Sequence, residues 1–226
     1  MKQALLIILL IVIFSGCKKK SKTDNRLKEG IITYEVSYFT SEKENPIIAL
    51  LPNKVELRFK DNNICLISEG YLGFFSTKFI SNYKENNSNI LLKVLNNKFN
   101  YEFPKDEIAF IYNKKAPSNI EYSDSTKLIS GYLCKMAKLI SDDNTINPIK
   151  IYYTSEIGLI EPNRNTPLHQ ISGVLMQFET TMNKVKTRFT AIQVEQVKVS
   201  DEEFIIPANY VKADKATLKK YIMDFN

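Results

Sequence analysis

Along most of the chain, apolar and polar residues trade places one by one. Ile32, Tyr34, Val36 and Tyr38 alternate with Thr33, Glu35 and Ser37; Val55, Leu57 and Phe59 alternate with Lys54, Glu56, Arg58 and Lys60. Successive side chains of a strand point to opposite faces, so this pattern predicts half-buried β-strands. Asp61-Asn62-Asn63 supplies a hairpin turn into a further strand over 64–68. Strands are predicted next over 74–81 and 88–95. Asn96-Asn97 then turns the chain into Phe99, Tyr101 and Phe103, and Pro104 ends that run. Later strands are predicted over 119–122, over 127–141 with a break near Gly131, and over 149–154. Val174, Met176, Phe178, Thr180 and Met182 would share one face of another strand, turned at Asn183.

The run over 184–199 changes phase twice. Val185, Thr187 and Phe189 are odd-numbered, Ile192 and Val194 even, Val197 and Val199 odd again. Each change needs an inserted residue, which predicts a bulge or strong bend around Ala191 and again near Gln196. Bulges of this kind let a long sheet curl.

Helical periodicity is scarce. Asp214 can cap a short amphipathic helix carrying Leu218, Tyr221, Ile222 and Phe225 at i, i+3, i+4, i+7 spacing. Asn45-Pro46-Ile47-Ile48-Ala49-Leu50-Leu51-Pro52 begins with a capping residue and a proline suited to a first helical turn. Its Ile47, Ile48, Leu50 and Leu51 are apolar on most sides, so the segment is either a plug of the core or a lid facing a ligand. The expected architecture is mainly β: one domain over 30–226, a curved antiparallel sheet or incomplete β-barrel with one or two short helices.

The N-terminus reads differently. Lys2 precedes an apolar run over residues 4–14, which as helix spans about 16 Å and is too short for a standard membrane span. A positive start, a short apolar stretch and small residues read as a secretory signal. Phe14-Ser15-Gly16-Cys17 resembles the lipobox of bacterial lipoproteins. That resemblance implies cleavage of residues 1–16, a diacylglyceryl thioether on Cys17 and a membrane-anchored mature chain. Residues 17–29 read as a polar tether, either a solvated spacer or a lysine-rich contact with anionic headgroups. Among lipoproteins, a Lys after the lipid-bearing Cys, with no acidic cluster following, implies the periplasmic face of the outer membrane.

Composition narrows the chemistry. The 226 residues hold 31 Lys+Arg against 25 Asp+Glu, one His and no Trp. Only Arg26, Arg58, Arg164 and Arg188 are arginine, so the basic balance is a poor match to nucleic-acid readers, and no nucleic-acid partner is expected. A His-rich metal site cannot be built. No Gly-rich phosphate cradle, C-x-x-C, G-x-S-x-G or H-E-x-x-H motif occurs. His169 sits in a turn-like stretch with neither nucleophile nor orienting partner legible, and Asp142-Asp143-Asn144 lacks the spaced ligands of a calcium loop. No cofactor and no catalysis are expected. Cys65 and Cys134 remain: in an oxidising compartment they can pair as a disulfide, and the alternative is two buried free thiols on strands.

Four segments line up in order. They are Thr126-Lys127-Leu128-Ile129-Ser130-Gly131-Tyr132-Leu133-Cys134-Lys135, Ile151-Tyr152-Tyr153-Thr154-Ser155-Glu156-Ile157-Gly158, Ile171-Ser172-Gly173-Val174-Leu175-Met176-Gln177-Phe178-Glu179 and Phe204-Ile205-Ile206-Pro207-Ala208-Asn209-Tyr210. The series resembles an uncharacterised family of secreted bacterial β proteins, whose broader relatives look like the LolA/LolB-type lipoprotein carriers. It implies a curved, incomplete barrel with a helix inside or across its mouth, and no catalytic residues. The carriers hold acyl chains on that concave face. The expected function is thus a lipoprotein that binds an apolar ligand or lipid. The alternative is an envelope interaction or scaffolding module without a ligand, pairing with another envelope protein.

Overall fold

The computed structural model describes residues 24–73, 75–104, 107, 109, 112, 119–140, 148–182 and 185–223. The segment read as a signal, Cys17, the expected tether up to residue 23, the acidic stretch at 142–144, Asn183 and Phe225 lie outside the described residues.

Twelve strands form one sheet. The first meander is β1 (Glu29–Tyr38), β2 (Lys54–Lys60), β3 (Asn63–Glu69), β4 (Phe75–Asn82), β5 (Asn87–Val94) and β6 (Asn97–Phe103). The second is β7 (Asn119–Ile129), β8 (Tyr132–Ile140), β9 (Ile149–Thr154), β10 (Val174–Met182) and β11 (Val185–Glu195), followed by the short β12 (Val211–Lys212) and helix α1 (Lys215–Met223). The order is β12-β6-β5-β4-β3-β2-β1-β11-β10-β9-β8-β7, so β1 and β11 join the meanders and the sheet stays open between β12 and β7. Only β12 runs parallel to its neighbour, β6.

The bulge foreseen near Ala191 sits on the β1–β11 seam, where Thr33 faces Gln193 but Tyr34 faces Ala191. Close approach there also needs Gly30: a methyl group on it would lie 2.3 Å from the Glu195 carbonyl oxygen. The second phase change, near Gln196, is not a bulge. The strand stops at Glu195 and the chain leaves the sheet. A further register shift, between Leu175 and Gln177, breaks the single face expected for β10. Residues 27–29, expected as part of a tether, pack on the domain: Leu27 bridges Ile157, Gly158 donates its N–H to the Leu27 carbonyl at 2.8 Å, and β1 begins at Glu29.

Each face of the first meander has its own core. Inside the curl, Ile32, Tyr34, Val36, Val55, Leu57 and Phe59 pack with Phe189 and Met176. Helix α1, whose Asp214 accepts from the Thr217 N–H at 2.8 Å, buries Leu218 and Ile222 against Ile90, Leu92, Val94 and Phe103. Outside the curl, the chain over 196–210 crosses the sheet as a strap. Its Val199 and Phe204 cover Cys65, Ile80 and Leu91. Such a side chain, fully buried, contributes about 1.5–3 kcal/mol. A fourth cluster, Ala137, Ile151, Leu168, Ile171 and Leu175, docks the loop over 155–173 onto the second meander.

Candidate functional site: an apolar cavity inside the curled sheet

The inner face of the sheet is not filled. It encloses a cavity of about 470 Å³, within the range of roughly 300–1,000 Å³ usual for small-molecule sites. The alternation that builds the strands also builds its walls. Tyr34, Val36 and Tyr38 come from β1, Leu57 and Leu66 from β2 and β3, Phe79 from β4. Phe178 and Phe189 stack across β10 and β11 with centroids 4.9 Å apart and complete the opposite wall.

Four pieces close the ends. The 3-10 turn Pro46–Leu50 is capped by Asn45, whose side chain accepts from the Ile47 N–H at 3.2 Å. Residues 162–168, Ala109 with Tyr112, and Ile222 of α1 supply the rest. The loop over 162–168 holds itself in place. The Asn163 amide donates to the carbonyls of Ile171 (2.7 Å) and Gly173 (2.9 Å), and the Asn165 amide donates to the Glu107 carbonyl (2.6 Å). The Arg164 guanidinium pairs with Glu161 at 2.6 Å and lies 5.6 Å from the Tyr83 ring centre. Its Nη1 and the Asn165 Oδ1 are sealed from solvent and make no hydrogen bond among the described residues.

Two tyrosine hydroxyls of the β1 wall are already committed. The Tyr34 hydroxyl donates to the Leu175 carbonyl at 2.9 Å and the Tyr38 hydroxyl to the Pro52 carbonyl at 2.6 Å. Burial pushes both phenols above the ordinary tyrosine value, and pushes Tyr112 up to about 12. These tyrosines stay neutral through the physiological range. What they offer a guest is ring surface. The arrangement can shelter an apolar group from water, at about 25 cal/mol per Å² of apolar surface buried. Among the described residues, the lining holds no nucleophile beside a base.

The residues singled out from sequence fall out as follows. Ile47, Leu50 and Leu51 line the cavity, whereas Ile48 is buried and does not. Leu50 is half exposed and stands at the mouth. Cys65 and Cys134 are free thiols, so the bridge between them is not formed. Cys65 lies under the strap outside the curl, Cys134 in the inner core, and five strands of the sheet separate theirs. Burial pushes Cys65 up to about 12 and Cys134 to about 11. His169 is exposed, its Nδ1 3.1 Å from the Thr166 carbonyl oxygen. No cluster of three or more His, Cys, Asp or Glu able to hold a metal occurs among the described residues. Sequence reasoning missed Tyr34 and Tyr38 as wall residues and the loop over 162–168 as a closure. The alternation of β1 carried a signal for the tyrosines; the loop has none.

No family model matches the chain, and no curated protein does. Among the described residues, no helix is long and apolar enough to cross a membrane. Solved structures do match. Two crystal structures of PNGF-II, in space groups P21 and C2, superpose with TM-scores of 0.54 and 0.55 at 19% and 20% identity. They cover 88% of this chain but 34% and 33% of theirs, so the chain spans about a third of the PNGF-II length. At that identity the likeness is one of fold: the mainly β, open-sheet architecture of this chain is similar to part of PNGF-II.

Proposed function

We propose that the protein is a non-catalytic carrier or receptor for an apolar ligand, such as a lipid acyl chain, held at a membrane through lipidated Cys17 on the periplasmic side of the outer membrane. The observation that supports the reading is the aromatic-walled cavity of about 470 Å³, whose Tyr34 and Tyr38 hydroxyls are turned to backbone carbonyls. An empty apolar cavity in a core forfeits packing contacts. Retaining one this large fits a protein that fills it with a guest. The carrier likeness read from the sequence points the same way, although it is a likeness of fold and carries function only by analogy.

Residues 21–226, purified natively and extracted with organic solvent, are expected to yield a stoichiometric lipid or fatty acid by mass spectrometry. A clean extract, together with failure to take up a fatty-acid probe, would overturn the reading. The scaffolding alternative would then lead, resting on β7, which ends the sheet and is mostly exposed.

A further inference from the structure

Turns at the two ends of the first meander are built from different residues. At the end holding the β2–β3 and β4–β5 turns, positive φ falls on Asp61 (49°), Asn62 (69°) and Asn86 (53°). These residue types tolerate the left-handed region. At the opposite end, where the β3–β4 and β5–β6 turns lie, it falls on Gly73 (67°), which suits it, but also on Leu72 (52°) and Leu95 (53°). For leucine that conformation is strained by about 1–2 kcal/mol. Neither side chain recovers the cost by burial, since Leu72 is 71% exposed and Leu95 58%.

The third tip at this end is Leu50, 51% exposed. The three are neighbours. A methyl group on Gly70 would sit 2.9 Å from the Leu50 carbonyl oxygen, and Phe75, which opens β4, pairs with Val94, which precedes Leu95. Leu50 and Leu95 also line the cavity, so the exposed apolar tips continue its wall out into solvent. Beside Leu95, Lys93 faces Lys98 directly across the strands, and the Lys98 ammonium lies 5.8 Å from the ring centre of Tyr210 in the strap. Opposed like charges work against strand pairing. Strain, exposure and charge repulsion thus coincide at the mouth, and an anionic apolar surface would relieve the last two together.

We infer that this rim docks on a membrane: Leu50, Leu72 and Leu95 enter the hydrocarbon edge of a bilayer while Lys93 and Lys98 meet anionic phospholipid headgroups. Interfacial leucines beside lysines bind by apolar burial plus headgroup attraction. In that pose the cavity mouth opens onto the acyl layer. The inference concerns the rim and stands apart from whether the cavity carries a guest.

The chain has no Trp, so one introduced Trp reports its own surroundings. The full chain, reconstituted by its own N-terminus into vesicles of phosphatidylcholine and phosphatidylglycerol, would carry Leu50→Trp, Leu72→Trp or, as a control at the far end, Leu128→Trp. The rim reporters are expected to shift to the blue and to be quenched by brominated lipid, while Leu128→Trp stays in water. Lys93→Glu with Lys98→Glu is expected to abolish that quenching with the circular dichroism spectrum unchanged. If Leu72→Trp does not fold, Leu50→Trp, at an ordinary backbone conformation, carries the test. Rim emission matching that of Leu128→Trp would overturn the docking. Equal quenching in vesicles of phosphatidylcholine alone would overturn the role of the lysines. Lipid content of the purified protein is read separately, so the cavity reading and the rim can fail independently.

Discussion

Strands β2–β5 meet different fates on their two faces. Outside, Cys65, Ile80 and Leu91 are sealed under Val199 and Phe204, and the strap is tied down by charge. Glu203 pairs with both Arg58 and Lys78, and Asp201 pairs with Lys60 at 2.6 Å. Inside, Leu57, Leu66, Thr77 and Phe79 face open volume. The same alternating strands thus make a packed face and a hollow one. What differs is the cover: a strap that follows the sheet closely against a set of end pieces that only cap it. The lesson is that periodicity decides which residues leave the water, while the partner decides whether they are filled in.

The contrast gives unequal costs for like substitutions. Leu91→Ala, under the strap and 1% exposed, should cost about 3–5 kcal/mol in urea unfolding, because a tight site relaxes little around a new void. Leu57→Ala, on the cavity wall, should cost about 2 kcal/mol, since part of its surroundings is already empty. Equal losses for the two would break the comparison. Filling the hollow sharpens it further. Thr77→Leu should change stability by less than about 1.5 kcal/mol yet reduce uptake of a fatty-acid probe.

The strap should also respond to acid where the inner wall does not. Glu29 accepts from the Val199 N–H at 2.9 Å and from Lys198 at 3.0 Å, and these bonds hold its carboxyl below the usual value of 4.5. A carboxyl lowered in the fold contributes stability above its unfolded pKa and loses it as pH falls through the folded one. Exchange of the Val199 amide is therefore expected to quicken, relative to amides of β1, as pH falls through and below the ordinary carboxylate range. The smallest effect belongs to the rim. Leu72→Asn and Leu95→Asn should each raise stability by about 0.5–1 kcal/mol by relieving left-handed strain.

The strands were legible because alternation is a local signal. Val55, Leu57 and Phe59 announce their face without help from any neighbour. So were the Ala191 bulge, the Asp214 cap and the short helical turn after Asn45, which follow from phase and capping chemistry. The strap was not. Val197 and Val199 look like more strand after one further phase change, and only the loss of a partner strand beyond Glu195 turns them from strand to cover. The β10 shift was hidden for the same reason: Leu175 turns toward the cavity because of how Tyr153 and Tyr152 pair with it and Gln177. The hollow itself was beyond reach, since pattern assigns residues to an interior without fixing the volume left over.

The seam between β1 and β11 has a bearing on how the chain comes to exist at all. Ile31 is among the first residues of the sheet to leave the ribosome, and its partner Glu195 is among the last of the strand residues. Until then β1 presents Ile32, Tyr34 and Val36 along an unpaired border, the kind that recruits other chains. Closure this remote in sequence is slow. A chain built in this way should depend on an escort during its emergence, and shortening it anywhere before β11 should yield aggregates rather than a smaller working sheet.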